Sequence, residues 1–158
     1  MRILAIDPGP TWSTYVVTVG RNHIEEFQKL SNQDMLWKLR QFRDHADIAN
    51  CVIEQIRGYG LRVGNEVFDT CYWSGRFHQE FGEERTVLMP RRDVALHLCG
   101  NASPGDKFIR QAIIDRFGGP AAIKKGGPLY RVAGDTWAAL AVALTFGDQQ
   151  SGGTLCHP

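Results

Sequence analysis

Three carboxylates in this chain stand where a carboxylate is hard to justify. Asp7 closes the apolar run Ile3-Leu4-Ala5-Ile6, Glu54 closes Cys51-Val52-Ile53, and Asp135 opens Thr136-Trp137-Ala138-Ala139-Leu140-Ala141. An acid at the tip of a buried element is costly unless something pairs with it. Each has a local explanation of its own. Asp7 before Pro8-Gly9 suits a turn, Glu54 has Arg57 nearby, and Asp135 after Gly134 is a good helix N-cap. Three such acids from separate elements together favour convergence on a hard cation. Mg²⁺ takes oxygen ligands, usually few carboxylates completed by water and substrate phosphate. Two such ions roughly 3.5–4 Å apart, with Asp7 as the bridging ligand, would suit phosphodiester hydrolysis by water.

The elements needed to position these acids can be read from pattern. Arg2–Asp7 predicts a buried strand, ended by Pro8-Gly9-Pro10. Thr14–Val19 and His23–Leu30 predict two further strands around a Gly20-Arg21-Asn22 turn. Ser31 caps a predicted helix over 32–44, with Leu36, Leu39 and Phe42 on one side. Ile48–Gln55 reads as a buried parallel strand. A glycine-bearing loop leads to a helix over 65–81, with Val67, Cys71, Ser74 and His78 near one face. A fifth strand follows over 85–89, then a helix with Pro90 in its first turn through Leu98. Another helix runs from Asp106 to Phe117, and residues 120–133 are irregular. The last helix opens at Asp135, with Trp137, Leu140, Ala141 and Leu144 inward. This order predicts an α/β fold with a mixed five-stranded sheet flanked by helices. The expected organisation is one domain over 1–147 and a disordered tail over 148–158.

Net charge is only +1, but its distribution is uneven. Residues 85–131 carry +6, against −3 for 1–84 and −2 for 132–158. A basic stretch beside an acidic centre is what metal-dependent chemistry on a nucleic acid needs. Arg91, Arg92, Arg110, Lys124 and Lys125 in that stretch are candidate phosphate contacts. A solvated basic helix face is the alternative. The cysteines at 51, 71, 99 and 156 form no C-x-x-C pair, which argues against zinc. The opening apolar run meets Asp7 too soon for a secretory signal, and Ala138–Phe146 is too short to cross a bilayer, so a cytoplasmic location is expected.

The Ile-Asp-Pro-Gly opening at 6–9, Ile53-Glu54-Gln55, and the late Asp135-x-x-x-Ala139-Leu140-Ala141-x-Ala143 pattern resemble the RuvC group of Holliday-junction resolvases, within the RNase H-like nucleases. The resemblance runs thinly from Met1 to about Phe146. In its middle, Gly64-Asn65-Glu66, Trp73–Phe77 and Leu98-Cys99-Gly100 look more like RuvC-like proteins of bacteriophages. It implies an RNase H-like fold and a Mg²⁺-dependent (or Mn²⁺-dependent) endonuclease that nicks four-way or other branched DNA, with Asp7, Glu54 and Asp135 as metal ligands. Lys107 resembles the lysine such proteins carry after the fifth strand, and is expected near the scissile phosphate. The loop holding Arg57, Tyr59 and Arg62 matches one that stacks an aromatic on unpaired bases. The family builds a symmetric dimer from the helix over 65–81, here rich in aromatics: Phe68, Tyr72, Trp73, Phe77 and Phe81.

The chain departs from the family at one place. RuvC proteins carry a second metal-binding residue immediately before Ala-Leu-Ala, where this chain has Ala138. Two readings therefore stand beside the leading one: a branched-DNA binding protein with an incomplete nuclease centre, and an RNase H-like nuclease acting on RNA.

Overall fold

The computed structural model describes residues 1–45, 47–58, 60 and 62–152. Five strands are present: β1 (Arg2–Asp7), β2 (Trp12–Val19), β3 (His23–Ser31), β4 (Ile48–Gln55) and β5 (Thr86–Pro90). They form one sheet in the order β3-β2-β1-β4-β5, with β2 antiparallel to β1 and β3, and β4 parallel to β1 and β5. The long helices are α1 (Asn32–Asp44), α2 (Asn65–Phe81), α3 (Arg91–Cys99), α4 (Asp106–Arg116) and α5 (Thr136–Gln150).

Strand alternation divides the core in two. Ile3, Ala5, Val16, Val52 and Met89 meet α3, α4 and α5 on one face. Leu4, Ile6, Tyr15, Val17, Cys51 and Ile53 meet α1 and α2 on the other. α5 is buried along nearly its whole length against the central strands, which explains why it is apolar all round rather than striped.

Several elements differ from expectation in instructive ways. The inward face of α2 is Thr70, Trp73, Phe77 and Phe81, not Val67, Cys71, Ser74 and His78. The bulkier aromatics take the sheet-facing positions, and the smaller residues line a shallow groove beside Gln55 and Leu88. Pro90 is the N-cap of α3 rather than a first-turn residue. α5 continues through Gln150, and Asp148 is 3% exposed, so the packed domain extends past the expected boundary at 147. Residues 153–158, including Cys156, lie outside the described residues, as does Tyr59. Among the described residues no helix is long and apolar enough to cross a membrane.

Candidate active site

Alternation places the side chains of Asp7 and Glu54 on the α5 side of the sheet, in line with Ile3, Ala5 and Val52. β1 and β4 run parallel, so both acids emerge at the same sheet end. The turn after Asp7 is fixed by a small polar network. The Gly9 N–H donates to Ser13 Oγ (3.1 Å), Ser13 Oγ donates to Asn32 Oδ1 (2.6 Å), and Asn32 Nδ2 donates to the Gly9 carbonyl (2.9 Å). A Cβ on Gly9 would lie 2.3 Å from the Trp12 carbonyl oxygen, so no other residue fits there.

Asp135 reaches the same region from the other layer. Gly134, at φ +52°, turns the chain into α5. The Asp135 side chain makes no capping bond; it accepts from Lys29 Nζ at 2.6 Å. Asp135 thus stands at the N-cap position of α5, but its carboxylate is turned to Lys29 rather than to the helix N–H groups. Nor does Glu54 pair with Arg57, which donates to Gln55 Oε1 (3.0 Å). Glu54, 7% exposed, accepts from Arg91 Nη1 at 3.2 Å, and Arg91 Nη2 also bonds Asp106.

The three acids border a cleft of about 810 Å³. Arg91, Lys107, Arg110 and Asp106 line it, with Val94, Ile109, Trp137 and Ala138 as apolar wall. The Arg110 guanidinium lies 4.9 Å from the Trp137 ring centre, and Lys107 Nζ lies 4.9 Å from that of Phe108. Asp7 is pushed up to about 8, first by burial, then by the charge and hydrogen bond of Glu54 and the charge of Asp135; Arg91 only partly opposes this. Two acids thus share one dry corner, and a proton is needed to hold them together.

That unresolved charge is what a divalent cation would relieve, and the donors are hard oxygens, so the residues suit Mg²⁺ or Mn²⁺. The acids are not closed into a cage: among the described residues no three His, Cys, Asp or Glu side chains are grouped tightly enough to enclose a metal. Lys29 draws Asp135 aside.

The remaining candidates fall elsewhere. Arg92, Lys124, Lys125, Arg57 and Arg62 are exposed and do not line the cleft. Two arginines of the basic stretch are engaged in structural contacts instead. Arg116 pairs with Asp148 (2.6 and 2.9 Å), and Arg85 donates to the Arg43 carbonyl (3.0 Å). Sequence reasoning passed over Lys29, Asp106 and the Arg91–Glu54 pair. Only the β3 register could have pointed to Lys29.

This sheet order with helices on both faces defines an RNase H-like fold. Solved structures that it matches along nearly its whole length include Holliday-junction resolvases. Thermus thermophilus RuvC matches with TM-score 0.73 and 14% identity, over 96% of this chain and 97% of that one. T. thermophilus RuvC in complex with Holliday junction substrate matches with TM-score 0.73 and 15% identity, over 98% and 97%. Fowlpox virus resolvase with its substrate Holliday junction DNA matches with TM-score 0.51 and 13% identity, over 95% and 99%. At these identities the likeness is one of fold. No family model matches the chain, and no curated protein matches it by sequence.

Proposed function

We propose that this protein is a metal-dependent endonuclease that cuts four-way or other branched DNA. The observation that carries the reading is the Asp7–Glu54 pair, brought together in a cleft also lined by Arg91, Lys107 and Arg110. The whole-length likeness to resolvase structures supports DNA junctions as the substrate class.

Asp7 and Glu54 would hold Mg²⁺ or Mn²⁺, with Asp135 at the margin of the site. Bound there, the metal supplies an activated water and offsets charge on the phosphate. Arg91, itself in the cleft lining, holds the Glu54 carboxylate. Lys107 and Arg110, exposed on α4, offer donors to the phosphate being cut and its neighbour. Arg92, Lys124 and Lys125 would extend the basic surface for the junction arms, and Arg57 and Arg62, with Tyr59 between them in sequence, would contact the unpaired bases.

The dimer proposal rests on exposed apolar groups around one edge. Phe68 is 64% and Tyr72 61% exposed on α2, and Val87 and Leu88 are exposed on the edge strand β5. Two copies paired two-fold through α2 would cover these residues and present two active sites to a two-fold junction. The expected compartment is the cytoplasm of the producing cell.

A labelled four-way junction, a duplex and an RNA–DNA hybrid, each with Mg²⁺, Mn²⁺ or EDTA, test the reading. Metal-dependent nicking of the junction alone is expected. Cutting of the hybrid instead would move the substrate to RNA. Tight junction binding with no cutting under any metal would favour a binding protein, the reading that Ala138 supports.

A further inference from the structure

Lys29 belongs to the acidic site although it comes from β3, two strands away from Asp7. The register places Asp7 opposite Thr14, and Thr14 opposite Lys29. Directly opposed residues share a sheet face, so Asp7, Thr14 and Lys29 form a row on the side that α5 covers. Asp135, 106 residues along the chain, meets the end of that row through Lys29 Nζ at 2.6 Å.

Two further features concern the same row. Thr14 is 1% exposed, and its hydroxyl finds no partner among the protein's polar groups. A buried hydroxyl of this kind asks for a partner, and this one stands between an acid and an ammonium. Ala138, on the cleft wall next to Asp135, offers no ligand atom. The Asp135 side therefore holds one carboxylate, paired with Lys29, whereas the Asp7–Glu54 side holds two carboxylates, of which Glu54 is paired with Arg91.

We infer that Lys29 is a positioning residue whose ammonium occupies the charge-neutralising place of a second metal ion beside Asp135, so that the site takes a single divalent ion at Asp7 and Glu54. The inference rests on the metal-dependent reading above. A lysine delivers one fixed positive charge and three donors without needing a coordination shell, which suits a side of the cleft that has lost a ligand. The unpartnered Thr14 hydroxyl lies in the same row and would be available to accept from the ammonium or donate to the Asp7 carboxylate.

Mn²⁺ binding to the free full-length protein, followed by the paramagnetic resonance of unbound Mn²⁺, tests this without reference to cleavage. Wild type should bind one Mn²⁺ per chain, and Asp7→Asn none. Lys29→Met should bind a second, because Asp135 is released. Lys29→Arg, which keeps the charge, should stay at one. In parallel, Lys29→Met should cut junctions about tenfold more slowly at saturating Mg²⁺, with Lys29→Arg restoring part of the rate. Two ions bound per wild-type chain would overturn the role of Lys29 and leave the metal-dependent reading intact. No ion bound by wild type would overturn both. A Lys29→Met protein that still binds one ion and cuts at the wild-type rate would reject Lys29 alone. If that variant fails to fold, the wild-type and Lys29→Arg stoichiometries still decide.

Discussion

Asp7 and Asp148 are both withdrawn from water at the same helix-on-sheet layer, one at each end, and their surroundings drive them apart. Asp148 lies near the C-terminus of α5. Burial alone would raise it, but Arg116 holds it with two hydrogen bonds and His97 Nε2 with a third at 2.8 Å, and the net result is a lowered pKa. Asp7 lies at the other end, where burial is compounded by Glu54 and it is pushed up to about 8. The Arg116 guanidinium also reaches Asn22 Oδ1 (2.8 Å) and the Arg21 carbonyl (3.0 Å), tying the β2–β3 turn to α5. The physical cost of burying an acid is offset at one end and left over at the other. An acid with its partners built in is a structural device; one left in need of a cation marks a place where a cation belongs.

The strongest way to break this contrast is to remove the unsatisfied charge. Asp7→Asn should lower junction cleavage on the order of 10³-fold or more while leaving junction binding nearly intact. Glu54→Gln should act alike. Because the charge is a burden without metal, Asp7→Asn should also stabilise the metal-free protein near neutral pH, by roughly 1–3 kcal/mol. A folded Asp7→Asn protein that cuts at the wild-type rate would sink the metal site.

Removing the satisfied charge should do the reverse. Asp148→Asn leaves Arg116 without its carboxylate and should cost roughly 2–4 kcal/mol of stability. Denaturant unfolding measures the loss. The Mg²⁺ concentration needed for half-maximal cleavage should not change, and a shift there would show that the two ends are coupled.

The contrast also predicts how stability follows pH. The folded pKa of Asp7 is raised, so between its unfolded value and about 8 the folded state binds more protons than the unfolded one. Stability of the metal-free protein from this group is fully present below about pH 4 and is lost as pH rises towards 8. Asp148 works oppositely: its contribution is present above the unfolded value and is lost as pH falls through its lowered folded value. Thermal melts in EDTA should therefore decline as pH rises from about 4 to 8, and Mg²⁺ should cancel that decline. A decline of equal size over the same range in Asp7→Asn would assign it to another group.

How much of this was legible beforehand depends on the kind of information involved. Strand and helix order followed from period and punctuation, because Asp7-Pro8-Gly9 and Ser31 state their own boundaries. The convergence of Asp7 and Glu54 was legible because parallel neighbouring strands bring their C-terminal ends together. The partners of the acids were not. Lys29, Arg91 and Arg116 sit 106, 37 and 32 residues from the acids they bind. A sequence counts a positive charge but does not say which way it points. For the same reason Arg85 and Arg116 count towards the charge of the basic stretch although both bind the protein itself. The inward face of α2 is not fixed by its pattern, because an all-round aromatic helix has no unique apolar side.

That distinction between outward and inward arginines can be tested by salt. Each phosphate contact contributes about 0.9 to the slope of log K against log salt on duplex arms. Arg92→Ala with Arg110→Ala should flatten the slope by up to about 2. Arg116→Ala should leave it unchanged, although it weakens the fold. Equal slopes in all three proteins would show that the DNA lies on another face.

The smallest expected effect comes from Ala138→Asp, which restores the acid that resembling proteins carry one turn after Asp135. A three-residue step keeps both groups on one side of α5, and Ala138 already lines the cleft. In an ordinary two-metal site the change should strengthen metal binding. Here Lys29 holds Asp135, and burial and Glu54 already push Asp7 up to about 8. A further carboxylate would push Asp7 higher and make the metal-free protein less stable at neutral pH. The expected result is a change of less than about threefold in the Mg²⁺ requirement, unless Lys29→Met is added. In the double variant the new acid should strengthen the second site that Lys29→Met opens and lower the Mg²⁺ requirement further. A large gain from Ala138→Asp alone would mean that Lys29 yields to metal readily, and that the two sides of the cleft are more alike than their charges make them.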